Sequence, residues 1–471
     1  MGGIATTPDM SSGLHSINSR SPEHDPETMA QGEPEEHDTS NQIYLLPTEL
    51  FHNIFESVFS PRSLALFSPL ILSHVNSHFR SIVLNTPSLW STIDDTLPLP
   101  IAKLCLERSR SAPLDIRIGS NSYLGLKDTK SAELFKYLEP HAHRVKNVKM
   151  VTDDWNVIDH LEDLMAGGFP FGGSEKLEFG HSQNSRPEDR NLVFTLNEPD
   201  SLRELHLWGY ALDTWMDSFP TALRRLQLSE VSISFDILIS AVEQSPGLSI
   251  LVLEDCLLYD HIETVAITAG RIVELQLVRI DWRDIIQLSR LMSTPALASL
   301  SAVAPPSNTI VTSFLLEMVK RNKEISSLEI CDYDFTESLS IFKHLQNLNH
   351  LRVRASYSSD EDLQVLTMEQ TLPNLTSITL DNELRLTTRL VEQMARTHPK
   401  LESIVLRGWD PSNVSADSLA AINKMGKKIF VETFMRSPEE DFHEESGSDN
   451  SDESSSDGSW LSGDDYVLRS E

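Results

Sequence analysis

The chain has 471 residues, a formal net charge of −31, and a hydrophobic fraction of 39%. That length admits more than one domain. So acidic a chain lacks the clustered Lys and Arg that non-specific nucleic-acid binding needs, and no run approaches the roughly 20 apolar residues of a membrane span, so neither a nucleic-acid partner nor an integral membrane segment is expected.

Residues 1–40 hold eight acids against Arg20 and almost no large apolar side chain. Such a stretch cannot bury a core, which predicts a disordered acidic tail over 1–41. Its first six residues, Met1-Gly2-Gly3-Ile4-Ala5-Thr6, match the minimal N-myristoylation pattern, and no apolar core of a secretory signal is present. The three cysteines, Cys105, Cys256 and Cys331, form no Cys-x-x-Cys pair and imply no disulfide framework. A reducing compartment fits, cytoplasmic and/or nuclear.

Residues 42–92 read as about three short helices. In LLPTELFHNIFESVF, Pro47 suits the first helical position and Glu49 the positive helix start. Leu50, Phe51, Ile54, Phe55, Val58 and Phe59 then spread apolar surface over a wide arc. Leu72, Val75, Phe79, Ile82 and Val83 fall at the spacing of one further helix, which Pro87 stops before Leu89-Trp90. A unit of this size is marginal alone, and its surplus apolar surface predicts a protein partner.

These residues resemble an F-box, in the form abundant in mushroom-forming fungi. The matching positions are Leu46-Pro47-x-Glu49-Leu50-x-x-x-Ile54-Phe55, Ser73-x-Val75-Asn76-x-x-Phe79-Arg80, and Thr86-Pro87-x-Leu89-Trp90-Ser91-x-Ile93. The resemblance implies docking on a Skp-type adaptor and, through it, on a cullin–RING ubiquitin ligase. The adaptor-facing positions it implies are Leu46, Pro47, Leu50, Ile54, Val75, Phe79, Leu89 and Trp90. Leu46, Pro47 and Trp90 are expected mainly in the interface, and Val75 and Phe79 are expected to be shared between interface and core.

From residue 93 to 436 one phrase recurs: apolar, two residues, apolar, one residue, apolar. Leu202/Leu205/Leu207, Leu223/Leu226/Leu228, Leu248/Leu251/Leu253 and Ile272/Leu275/Leu277 are clear copies. Ile325/Leu328/Ile330, Leu348/Leu351/Val353, Leu375/Ile378/Leu380 and Leu401/Ile404/Leu406 continue the series, and Val145/Val148/Met150 is an early, degenerate copy. Successive copies start 21 to 29 residues apart. The last two apolar residues of each phrase lie on one side of a strand, and stacking such strands builds a continuous core. Helical spacing follows in several units, as in Phe235, Leu238, Ile239 and Val242. A proline such as Pro220, Pro246 or Pro399 then often precedes the next phrase. The pattern resembles leucine-rich repeats of the long, irregular kind, and implies an α/β solenoid with a parallel concave sheet.

In that arrangement the residues between the core positions face out. Trp208 is a large aromatic on a face that should be wet, with two readings, an interface anchor or packing under a loop. Arg225 lies on the next strand. His350, Arg352, Arg354 and Arg407 gather as a basic corner, either gripping an acidic target or balancing neighbouring acids such as Asp381. Residues 437–471 carry twelve acids against Arg469 and predict a second disordered tail. Ser446, Ser454 and Ser462 each have an acid three residues on, the pattern of acidophilic kinases. This tail is expected to fold back on the basic corner.

No nucleophile elbow, phosphate-binding loop or His-Glu-x-x-His is present, so the chain reads as a non-catalytic protein without cofactor or metal. The expected function is a target receptor of a Skp–cullin–F-box ligase, with an unidentified target protein on the solenoid. The alternative is a leucine-rich-repeat scaffold whose F-box-like segment is only an N-terminal cap.

Overall fold

The structure, a computed structural model, describes residues 46–58, 68–95, 97–119, 129–152, 173–181, 201–209, 211–212, 219–259, 266–303, 312–331, 338–354, 363–368, 371–381, 387–407 and 416–432. The two acidic tails, with Ser446, Ser454 and Ser462, lie outside these residues. The chain divides into two compact units, 1–54 and 55–471. In the first, Leu46 and Pro47 lead into helix α1 (Thr48–Val58). The Pro47 carbonyl accepts the N–H groups of Leu50 at 3.0 Å and Phe51 at 3.3 Å, so Pro47 sits one residue ahead of the expected first helical position.

The second unit corrects the expected long second helix. Two helices stand in its place, α2 (Ser68–Val75) and α3 (Ser77–Asn85). The break is Asn76, whose backbone is extended and whose Oδ1 accepts the Phe79 N–H at 2.8 Å. This is an N-cap, and it satisfies a donor that a continuous helix would have paired differently. Ile82 and Val83 of α3 are buried. A 3-10 turn at Pro87–Trp90 follows and runs into strand β1 (Thr92–Asp94).

From there the chain builds one 14-stranded parallel sheet in which spatial order equals chain order. After β1 come β2 (Leu114–Ile118), β3 (Val145–Thr152), β4 (Lys176–His181), β5 (Glu204–Trp208), β6 (Arg225–Ser229) and β7 (Ile250–Glu254). The second half comprises β8 (Glu274–Val278), β9 (Ser299–Val303), β10 (Ser327–Cys331), β11 (His350–Arg354), β12 (Ser377–Asp381), β13 (Ser403–Arg407) and β14 (Lys428–Glu432). Helices α4 (Leu99–Arg108), α5 (Thr129–Leu138), α6 (Phe235–Gln244), α7 (Trp282–Leu291), α8 (Thr312–Arg321), α9 (Ser338–Phe342), α10 (Thr388–Thr397) and α11 (Ala416–Lys424) lie in the connections. The result is a leucine-rich-repeat-like α/β solenoid.

The repeat phrase explains the register. Leu205 pairs with Leu226, Leu226 with Leu251, and Leu251 with Leu275, so equivalent residues of successive phrases stack into one buried row. Truncating a member such as Leu226 to Ala in so dense a row costs about 2–5 kcal/mol.

Both ends of each strand repeat as well. At the start, the Arg203 carbonyl accepts the N–H groups of Arg224 and Arg225, and the Arg224 carbonyl accepts those of Ser249 and Ile250, all between 2.7 and 3.0 Å. At the finish, Gly209, Glu230, Asp255 and Arg279 each adopt a left-handed backbone with φ between 49° and 75°. Their N–H groups reach the last carbonyl of the neighbouring strand at 2.7–3.0 Å. Only the first of the four is the glycine that this conformation favours.

Candidate functional site

Alternation along the strands puts one set of side chains on the open face of the sheet. On β3 to β5 they form a dense patch. Lys149 pairs with Glu178 at 3.0 Å, Lys176 pairs with the other oxygen of Glu178 at 2.9 Å, and Lys176 also reaches Glu204 at 3.5 Å. Burial alone would raise the Glu178 pKa. The hydrogen bonds and charges of the two lysines overcome it and hold the carboxyl below its ordinary range.

Trp208 lies in register with Gly180 of the neighbouring strand. A Cβ on residue 180 would sit 1.6 Å from Trp208 Cε2, so the indole rests on the space that only glycine leaves. Lys149 Nζ stands 5.7 Å from the ring centroid and the His206 ring 4.9 Å from it. Trp208 is half-buried. His206 has its pKa lowered to about 4, first by burial and then by Lys149, Lys176 and Arg225, against an opposing pull from Glu178. It is therefore neutral at neutral pH. The Ser229 hydroxyl donates to Glu254 at 3.3 Å, which leaves its oxygen to accept from His206 Nε2 at 3.2 Å. Arg225 donates to Gln227 on its own strand.

The expected basic corner has a different character. Arg352 is held between two acids on the flanking strands, Glu329 at 2.7 Å and Asp381 at 2.9 Å. Burial lowers its pKa, and the two carboxylates more than reverse that. Arg352 thus fits the balancing reading. His350 and Arg354 are exposed at the two ends of the same strand, and Arg407 is half-buried in register with Asp381. Between the two regions, Arg279 donates to Asp255 and Glu254, so the middle of the face is also internally paired.

The helical residues expected at an adaptor divide by exposure. Pro47 is exposed and Leu46 is half-exposed. On α1, Leu50 is 46% and Ile54 43% exposed, whereas Phe51 and Phe55 are buried. On α2, Val75 is 56% exposed, and Ile71, one turn earlier on the same face, reaches 62%. The sequence reading missed Ile71, although its four-residue spacing from Val75 was the available signal. Phe79 packs edge-to-face on Phe55 with centroids 5.5 Å apart, and Leu89 is half-buried. Trp90 is a correction. It is 2% exposed, its Nε1 donates to the Val83 carbonyl at 2.9 Å, and Arg108 lies over its ring. An indole so enclosed belongs to the core beneath β1, not to a surface.

Among the described residues no group of His, Cys, Asp and Glu could hold a metal ion, and no helix is long and apolar enough to cross a membrane. The three cysteines are buried free thiols, and burial pushes Cys105 up to about 11 and Cys256 to about 12.

The fold and its faces define a class, a leucine-rich-repeat-like solenoid with one open polar sheet face. No family model and no curated protein matches the chain. Solved structures do. A leucine-rich repeat-containing protein, LegL7 from Legionella pneumophila, is 12% identical over 71% of this chain and 97% of that one, with a TM-score of 0.36. A chain of the yeast Rad7 and Elc1 complex is 12% identical over 83% and 90%, with a TM-score of 0.40. A chain of the TLR13–ssRNA13 complex is 14% identical over 61% and 42%, with a TM-score of 0.37.

Proposed function

We propose that this chain is the target receptor of a Skp–cullin–F-box ubiquitin ligase, working in the cytoplasm and/or nucleus. Segment 42–92 docks the Skp-type adaptor, and the open sheet face of the solenoid receives the target protein. The chain supplies position, raising the target's local concentration at a ligase whose chemistry other subunits perform. The observation that carries the reading is the exposure of large aliphatic side chains on short helices. Leu50 and Ile54 on α1 lie open while Phe51 and Phe55 of the same helix are buried, and Ile71 and Val75 lie open on α2. Water-exposed aliphatics on so short a segment favour a protein partner.

Trp90 supports a second reading. Its burial and the direct run of the Pro87–Trp90 turn into β1 favour a scaffold in which this segment caps the first strand of the sheet. Co-purification of the full chain with a Skp-type adaptor separates the two. Ile54→Glu and Val75→Glu, both at exposed positions, should abolish binding while thermal unfolding stays within a few degrees of the parent. Retained binding in both variants, or no binding by the parent chain, would leave the capping scaffold.

A further inference from the structure

A cleft of about 530 Å³ opens at the starts of the strands β4 to β8, at the opposite strand end from Trp208. Arg203, Arg224 and Arg271 line it with the hydroxyl residues Ser201, Thr221 and Ser249. The bonding at the strand starts explains the gathering. Each residue just before a strand gives its carbonyl to two N–H groups of the next repeat, so the backbones of Arg203, Arg224 and Ser249 stand side by side at the strand spacing. Their backbones are satisfied within the ladder, and the side chains are left at the rim.

The charge there is unbalanced. Among the described residues, none of the three arginines makes an ion pair, in contrast to Arg352 and Arg279. The one acid in the lining, Glu175, is paired with Lys146 at 3.1 Å. Ser201 and Ser249 already give their hydroxyl protons to the Ser174 and Arg224 carbonyls, so the recognition rests on the guanidinium groups: three of them around one concavity, without an ion pair among the described residues, are the chemistry of a carboxylate-rich ligand. In a chain of net charge −31 such a place is unusual.

We propose that this cleft is an anion site, and that its occupant is the acidic segment 439–465 of the same chain. Charge favours this occupant, since the segment holds most of the acids of residues 437–471 and no Lys or Arg. Length permits it. From β14 back to β6 is eight strand spacings, about 38 Å, and the strand starts lie about 15 Å back from the end of β14, about 41 Å in a straight line. Ser446 lies 14 residues beyond Glu432, a span of up to about 46 Å when extended. The expected basic corner is the poorer seat, because Arg352 already has two acids. The proposal stands whether or not segment 42–92 binds an adaptor.

The test uses the full chain with nitroxide labels at Ser455→Cys in the tail and Glu243→Cys, an exposed position near the end of α6. The three natural cysteines are buried and leave these two as the labelled sites. Pulsed electron resonance should give a narrow distance component at low salt. That component should be lost in Arg203→Glu/Arg224→Glu/Arg271→Glu, and lost again in 1 M salt, where screening reaches about 3 Å. All three arginines are exposed, so the triple variant should keep the parent circular dichroism and melting. A broad distribution in the parent chain would overturn the proposal, as would a narrow one indifferent to the triple substitution. Saturable binding of an added 439–465 peptide to a parent whose own tail stays broad would make the cleft a site for an external acidic partner, and would likewise overturn the intrachain occupant.

Discussion

The open face of the sheet carries two polar clusters built on the same backbone. On β3 to β5, Trp208 rests on Gly180 between Lys149 and a neutral His206. On β10 to β12, Arg352 is clasped by Glu329 and Asp381. In the first cluster both lysines are also held, by Glu178 and Glu204, and what remains beside them is the half-buried indole. The second has its principal cation held by acids of its own sheet, so an incoming carboxylate would have to compete with Asp381, which is itself buried. Two clusters of internally paired charges therefore differ in what they have left to offer a partner, the first keeping a partly exposed indole beside its ion pairs. A binding surface is recognised by interactions not yet satisfied, more than by the kinds of residue it holds.

The sharpest break of that comparison is Gly180→Val. A branched side chain at a point already occupied by the indole must expel Trp208 or shift the strand. We expect a loss of about 3 kcal/mol, the upper end of overpacking costs. The β-propensity gained by valine offsets at most about 1 kcal/mol of this. Urea unfolding measures it. In a Trp208→Ala background the same valine should be nearly harmless, and a coupling below about 0.5 kcal/mol would show that the ring and the glycine are independent.

The matching break on the other side is Arg352→Ala, which strips a buried carboxylate of its partner. Asp381 Oδ1 makes no hydrogen bond with a described residue even with Arg352 in place. Removing an ion partner from a fully buried pair costs about 3–5 kcal/mol. Arg352 is more than a third exposed, so water screens the pair and the expected loss is about 1–2 kcal/mol. Arg354→Ala, at an exposed position of the same strand, should cost less than Arg352→Ala. Equal losses in the two variants would mean that the acids around Arg352 contribute little.

How far these features were legible in the sequence depends on the range of the physics behind them. The solenoid was legible because Leu205 and Leu207, or Leu226 and Leu228, repeat at the period of a strand and the phrases recur at near-constant steps. The break at Asn76 carried a local cap signal, but Leu72, Val75 and Phe79 hold helical spacing on both sides of it and hid the interruption. Trp90 was misread because its partner, the Val83 carbonyl, leaves no trace in residue type. The seat of Trp208 on Gly180 joins residues 28 apart and needs the register of β4 against β5, which only the paired strands supply. Arg203, Arg224 and Arg271 span nearly 70 residues and become neighbours only after three repeats have stacked. The acids around Arg352 were foreseen in kind, since Asp381 was already named as a balancing charge.

The smallest expected effect concerns pH, and it sharpens the comparison because the Trp208 cluster alone holds a buried histidine. His206 titrates near 6.5 when unfolded and at about 4 when folded, burial being the chief cause. Between those values the unfolded chain binds a proton that the folded chain refuses. Stability is then complete above about 6.5, falls as the pH drops through the interval, and levels off below about 4. Glu178 acts lower down. Its folded pKa lies below the ordinary carboxylate value, so its contribution is present above 4.5 and is lost as pH falls through the folded pKa. His206→Gln removes the first titration and leaves the second, and glutamine can still donate to Ser229. Urea midpoints collected from pH 7 to about pH 3 should therefore fall less steeply in the variant between 6.5 and about 4, with the two curves parallel below that. An unchanged slope in that upper interval would mean that His206 is solvated enough to accept its proton in place, and that the Lys149–Glu178–Trp208 cluster is looser than its geometry indicates.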